Sequence, residues 1–254
     1  MPEASSTLCL HAGARHVSPE ELAQVKAPPP QGRWFPLSHG SVLARVKETL
    51  GEAGYVVRRE QLGLSRNDAR FFGVLDLGTA LTSGVSLAVG VRNSTDKSFP
   101  LGFAAGSRVF CCDNLAFRAE LLVRKKHTRY GEQRFAQAIA EAVTRLSDFR
   151  EAEGSRIRAM QQREVTAPVA DSLILRAFEK GIVTAPLLPR VIKEWREPAF
   201  DEFRDRTYWS LFNAFTAVLG ERARTNPHGF AVTTMRLSAH LDPAAGEPLQ
   251  VIPA

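Results

Sequence analysis

The run Arg124-Lys125-Lys126-His127-Thr128-Arg129 puts four cations and an imidazole into six positions. Such residues suit phosphate. Each neutralised phosphate releases condensed counterions, so binding of this kind tightens as salt falls. The competing reading of the same run is a solvated loop ahead of a helix. From Arg118 to Arg163 the chain carries 11 basic and 6 acidic residues, against 33 and 27 overall and a net charge of +6. Most of the positive excess therefore lies in that one segment.

Nucleophilic and metal chemistry are less well supplied. Cys112 and His127 form a conceivable thiol–imidazole pair, although a Cys on a strand is ordinarily a small buried hydrophobe. Asp76 and Asp113 are candidate acids, but no second carboxylate marks either as half of an acid/base pair. The alternation of its strand predicts that Asp76 faces solvent. Cys9, Cys111 and Cys112 are the three cysteines. Adjacent strand residues face opposite ways, so Cys111 and Cys112 do not share one metal. Cys9, His11 and His16 lack the second ligand pair of a structural zinc site. Gly73 to Gly78 and Gly102 to Gly106 are not followed by Gly-Lys-Ser/Thr, and there is no Gly-x-Ser-x-Gly or His-Glu-x-x-His. The expectation is a protein without metal or cofactor and without a visible catalytic constellation.

The elements that must position the basic run read as follows. Ser18-Pro19-Glu20-Glu21 opens a short helix over about 18–26, and Pro28-Pro29-Pro30 ends it. Trp34 and Phe35 then anchor this arm to the body. Ser38 or Ser41 starts a helix through Val42, Leu43, Val46 and Leu50, closed by Gly51 and Gly54. Strands are predicted at 55–60, 71–77 and 85–91, with a polar turn over 63–70. In the third of these strands Val85, Leu87, Val89 and Val91 alternate with Ser86, Ala88 and Gly90. The small-residue face calls for a close neighbour, such as a helix or a ligand. Asn93 to Ser98 is a turn, and the chain returns through 99–103 and 108–112, making an antiparallel meander. Helices follow over 133–149 (continuing to about 160), from Asp171 to Gly181, over 188–195 and over 207–220. Ala167-Pro168 is read as a break, and the segment from Pro227 as a loop.

These elements predict an α+β fold: an antiparallel β-meander packed by helices, with a helical C-terminal third. The expected organisation is an arm over 1–37, an α+β core over 38–163, a helical extension over 164–226 and a tail over 227–254. Composition is that of a globular chain, 44% hydrophobic and 24% charged. No apolar run reaches the ~18 residues of a membrane span. Together with the odd cysteine count, this predicts a cytoplasmic protein that does not engage a membrane.

Four segments carry a family resemblance. They are Arg92-Asn93-Ser94-Thr95-Asp96-Lys97-Ser98, then Arg108 through Cys112-Asp113-Asn114 to Phe117, then Lys126-His127-Thr128, and finally Trp209 through Asn213 to Thr216. In this order they are similar to plasmid and phage proteins of the family labelled "domain of unknown function 932". The resemblance spans about 40–220, implies carriage on mobile elements, and brings no established activity with it. In physical terms Asn93, Ser94 and Asp96 are turn formers, Asn114 suits a strand end, and Trp209 and Asn213 share a helix face at i and i+4. A buried Asn213 would need a partner.

The order helix, antiparallel strands, long helix is also similar to the core of single-strand-annealing recombinases. That likeness implies a basic groove for single-stranded DNA and a homo-oligomer. Its candidate contacts here are Arg58, Arg59, Arg92, Lys97, Arg108, Arg124, Lys125, Lys126 and Arg129, with Tyr55 or Tyr130 to stack on bases. The sequence thus leads to two readings. One is a non-enzymatic single-stranded DNA binder serving annealing or recombination. The other is an accessory or regulatory protein that holds a protein or small ligand beside the small-residue strand face.

Overall fold

In the computed structural model, residues 14–109, 115–223 and 227–242 are described. Six strands, β1 (Arg15–His16), β2 (Arg59–Leu64), β3 (Arg70–Thr82), β4 (Val85–Ser94), β5 (Leu101–Val109) and β6 (Leu115–Lys125), form one antiparallel sheet in the order of the chain. The helices are α1 (Pro19–Gln24), α2 (His39–Glu52), α3 (Gly131–Thr144), α4 (Leu146–Gln162), α5 (Ala167–Glu179), α6 (Leu188–Arg196), α7 (Tyr208–Ala223) and α8 (Pro227–His240). The fold is α+β, with α5 to α8 making up the C-terminal part.

Local chemistry sets the helix ends. Ser18 and Glu21 form a reciprocal capping box on α1, with Pro19 in the first turn. Ser38 Oγ accepts the Ser41 N–H at the start of α2. At its end Gly54, at φ +82°, lets Tyr55 N–H reach Leu50 O while its own N–H bonds Gly51 O, a Schellman closure. Gly181 closes α5 the same way, through Ile182 N–H to Ala177 O.

Period-two alternation divides the sheet into two faces. Leu62, Leu75, Leu87, Val89, Val91, Leu101 and Phe103 face the main core. There they meet Val42, Val46 and Leu50 of α2 and Phe135 and Ile139 of α3. Each fully buried side chain of this size contributes roughly 1.5–3 kcal/mol. The opposite face carries Phe72, Val74, Ala88 and Ala104, a separate apolar cluster on which Met235 of α8 packs. The helix itself runs against β6 and α7 and reaches Ala88 and Ala104 through that one side chain.

The structure extends the predicted meander and corrects it in places. The return through 99–103 and across Gly106 is one strand, β5, from Leu101 to Val109, and residues 110–112 of the predicted return lie outside the described residues. The sequence pattern does not predict β6, which carries Arg124 and Lys125 into the sheet instead of a loop. The strand placed at 55–60 begins at Arg59 and includes Gly63 and Leu64. The helix over 133–149 is divided at Arg145 into α3 and α4. Pro168 lies in the first turn of α5 and begins the helix instead of breaking it. The segment read as a loop from Pro227 contains α8. Asp76 is buried, not solvent-facing, because its face of the sheet is covered; its carboxylate accepts the Gly78 N–H at 3.1 Å. No helix among the described residues is long and apolar enough to cross a membrane.

Candidate nucleic-acid interface

Register decides which of the predicted cations meet. Arg92 of β4 is opposite Gly102 of β5, and Gly102 is opposite Arg124 of β6. The two arginines therefore share a row and a face, roughly 10 Å apart at their Cα atoms. A Cβ at Gly102 would fall 2.8 Å from Arg92 Cγ, so the glycine leaves room for that side chain to lie across β5. The Arg92 guanidinium stands 5.2 Å over the Phe99 ring. Burial, and then the charge of Arg124, pull its pKa down to about 10. Two like charges held together in this way favour an anion between them.

The same end of the sheet collects Lys97, Lys125, Lys126 and Arg129. Lys97, at φ +66°, tops the β4–β5 turn with its ammonium 4.8 Å over the Trp34 ring and 3.3 Å from Gln31 Oε1. Lys126, Arg129 and Tyr130 follow β6 and are exposed. Lys125 alternates with Arg124, so it points to the opposite face and is half-buried. Among the described residues no carboxylate lies within ion-pair distance of Arg92, Arg124, Lys125, Lys126 or Arg129. Arg70, by contrast, bonds Asp96 at 2.8 Å.

Arg58, Arg59 and Arg108 do not join this group. Arg58 lies over Gly78, where an added Cβ would meet its Cγ at 2.3 Å. Arg59 is paired in register with Asp76. Arg108 is buried at the far end of β5, six residues and roughly 20 Å from Gly102. The expected single path along the sheet therefore reduces to a cluster at one end. Tyr55 packs against the core, which leaves Tyr130, 57% exposed, as the aromatic beside the cations.

The turn residues do what their types predict. Ser94 Oγ donates to Phe99 O and accepts the Phe99 N–H. Asp96 accepts from Ser98 N–H at 3.0 Å and from the Ser98 hydroxyl. Burial alone would raise its carboxyl, but hydrogen bonds from Ser98 and Arg70 hold it below the ordinary carboxylate range. Asn93 is fully buried and donates to Leu37 O at 2.9 Å and to His39 Nδ1 at 3.0 Å. His39 Nε2–H in turn donates to Asp68 O at 3.0 Å, which fixes the tautomer. Burial keeps this imidazole neutral, its pKa lowered. His127 Nδ1 accepts the Leu37 N–H, and burial lowers its pKa too. Residues 31–38 are thus stitched to β4 and to the end of β6. The sequence indicated Trp34 as an anchor but gave no sign of His39, which looks like any helix-start residue.

Segments 92–98 and 126–128, two of the motif stretches, meet at this end. The stretch at 209–216 lies elsewhere, in α7. There Trp209 stacks on Phe212 at 5.7 Å, and the buried Asn213 donates to Trp209 O at 2.9 Å. Cys112, Asp113 and Asn114 fall outside the described residues, so the Cys112/His127 pairing has no described geometry. Beside the small-residue face the structure places Met235 of α8, packed on Ala88 and Ala104, while α8 itself runs against β6 and α7. A cavity of about 550 Å³ lies instead between the β3–β4 turn and the start of α7, lined by Gly84, Gln161, Glu202, Asp205 and Trp209. No group of three or more potential metal ligands occurs among the described residues.

No family model matches the chain, and neither the curated proteins nor the solved structures include a match.

Proposed function

We propose that the protein binds single-stranded nucleic acid through the sheet end that carries Arg92, Lys97, Arg124, Lys126 and Arg129. The observation that carries this reading is the Arg92–Arg124 pair across Gly102, which has no carboxylate at ion-pair distance among the described residues. Like charges on one face are costly unless an anion sits between them, and a strand supplies anions at regular spacing. Tyr130 offers a ring for a base, and base–aromatic stacking is tolerant of sequence. The binding is non-catalytic and salt-sensitive. The resemblance of 92–98 and 126–128 to mobile-element proteins makes annealing or recombination the process such binding would serve.

Fluorescence anisotropy with a labelled oligothymidine over a salt series tests this. Binding at low salt that weakens linearly in log–log form is expected. Replacing Arg124, Lys125, Lys126 and Arg129 by Ala should weaken it for every sequence and flatten the slope. Absence of binding at low salt overturns the reading. In that case the cavity beside Trp209 favours the accessory-protein alternative, with a small ligand held against Glu202 and Asp205.

A further inference from the structure

Four polar side-chain atoms near the end of β6 are closed off from solvent and have no hydrogen-bond partner among the described residues: Trp34 Nε1, Asn93 Oδ1, His127 Nε2 and Thr128 Oγ1. They belong to one neighbourhood. The Trp34 ring stands edge-on to His127 with centroids 6.5 Å apart, and Thr128 is the next residue. Leu37 joins His127 to Asn93, giving its N–H to one and its carbonyl to the other. Because His127 Nδ1 accepts from Leu37, the neutral ring carries its proton on Nε2. Three hydrogens, on an indole, an imidazole and a hydroxyl, thus have no acceptor at hydrogen-bond distance among the described residues, the Phe35 backbone only approaching the imidazole, and buried donors are rarely left so.

The surroundings indicate what the acceptor is. Lys97 holds its ammonium over the Trp34 ring, and Lys126 and Arg129 flank the His127-Thr128 pair in the chain. α3 starts at Gly131 with no side chain capping it, and a Cβ there would lie 3.8 Å from Thr128 Oγ1. A water could serve one or two of the donors. It would not answer the positive charge beside them, whereas a phosphate group, with two anionic oxygens sharing a charge, answers both.

We propose that Trp34 Nε1–H, His127 Nε2–H and Thr128 Oγ1–H form a seat for one phosphate group, with Lys97, Lys126 and Arg129 around it. The inference rests on the strand-binding reading and deepens it: the phosphate is one of the strand's own backbone diesters, held by neutral donors as well as by charge. Since the donors are shielded, filling the seat requires the 31–34 turn to lift from Lys97.

The test is ¹H–¹⁵N NMR of the tryptophan indoles, of which there are three. The spectrum of Trp34→Phe identifies the Trp34 signal. Sodium phosphate and, separately, the dinucleotide dTpdT are titrated against sodium chloride of equal ionic strength. The Trp34 indole signal is expected to move saturably with either phosphate compound and not with chloride, and Thr128→Val to weaken the response about tenfold. A Trp34 signal that follows the chloride control overturns the seat, and this wild-type measurement decides even if a variant fails to fold. Oligonucleotide binding without a Trp34 response removes the seat and leaves the strand reading standing. A Trp34 response to phosphate without oligonucleotide binding does the reverse.

Discussion

Arg92 and Arg124 face each other across Gly102 on one side of the sheet, with no carboxylate of a described residue at ion-pair distance from either. A purely structural arginine pair on a sheet is ordinarily tied to acids, as Arg70 is to Asp96. Among the described residues the fold itself supplies no acid to neutralise this pair.

Gly102 is the hinge of that arrangement. Gly102→Ala would put a methyl carbon 2.8 Å from Arg92 Cγ and Nε, so the side chain must swing off β5. The expected outcome is weaker oligonucleotide binding with a melting temperature close to wild type, because the far end of a flexible side chain can give way. Anisotropy and thermal melts on the same sample check it.

Gly154 of α4 is the contrasting case. A Cβ there would stand 2.6 Å from Leu81 O, a backbone atom of β3. Gly154→Ala must push α4 off the sheet and should cost about 1–3 kcal/mol. Urea unfolding would show this as a lower midpoint.

The buried pair Glu153–Arg156 in α4 tests the other half of the molecule. Arg156 donates to both carboxylate oxygens, at 2.7 and 2.9 Å, and its guanidinium stands over the Phe212 ring of α7. Glu153→Gln leaves a buried cation without its counter-charge and should lower stability by about 3–5 kcal/mol. Chemical denaturation provides the measurement.

Stability should also depend on acidity. His39 and His127 are both held neutral by burial, with pKa values below the ordinary imidazole range. The unfolded chain takes up those protons near pH 6.5, and the folded chain resists them until lower pH. Stability is therefore full above about pH 6.5 and falls as pH drops toward the folded values. Urea midpoints at pH 7.5 and 5.5 should differ in that sense, and His39→Gln should narrow the gap.

How much of this was legible in the sequence follows from the strength of each local signal. Strict alternation from Val85 to Val91 gave β4 and its small-residue face; of α8 only Met235 reaches that face, and the helix lies against β6 and α7. The helix itself was missed because Pro227 and Gly229 look like breakers, although Pro is well placed in a first helical turn. β6 was hidden by Arg118, Glu120, Arg124 and Lys125, charges that obscure a period of two. Asp76 misled because alternation assigns a face but not whether that face is covered. The basic cluster was half legible: the run at 124–129 stood out, while its meeting with Arg92 depends on register across three strands. The unpartnered donors on Trp34, His127 and Thr128 have no sequence signal, since only the folded chain withholds their acceptors.

The most direct test compares the wild type with the Arg92→Gln/Arg124→Gln double variant in oligothymidine anisotropy over a salt series. Each phosphate contact on a single strand contributes about 0.7 to the log–log slope, so losing two should flatten it by about 1.4 and weaken low-salt binding. A double variant that binds with the wild-type affinity and slope would contradict the account, as would a wild-type protein that does not bind at low salt.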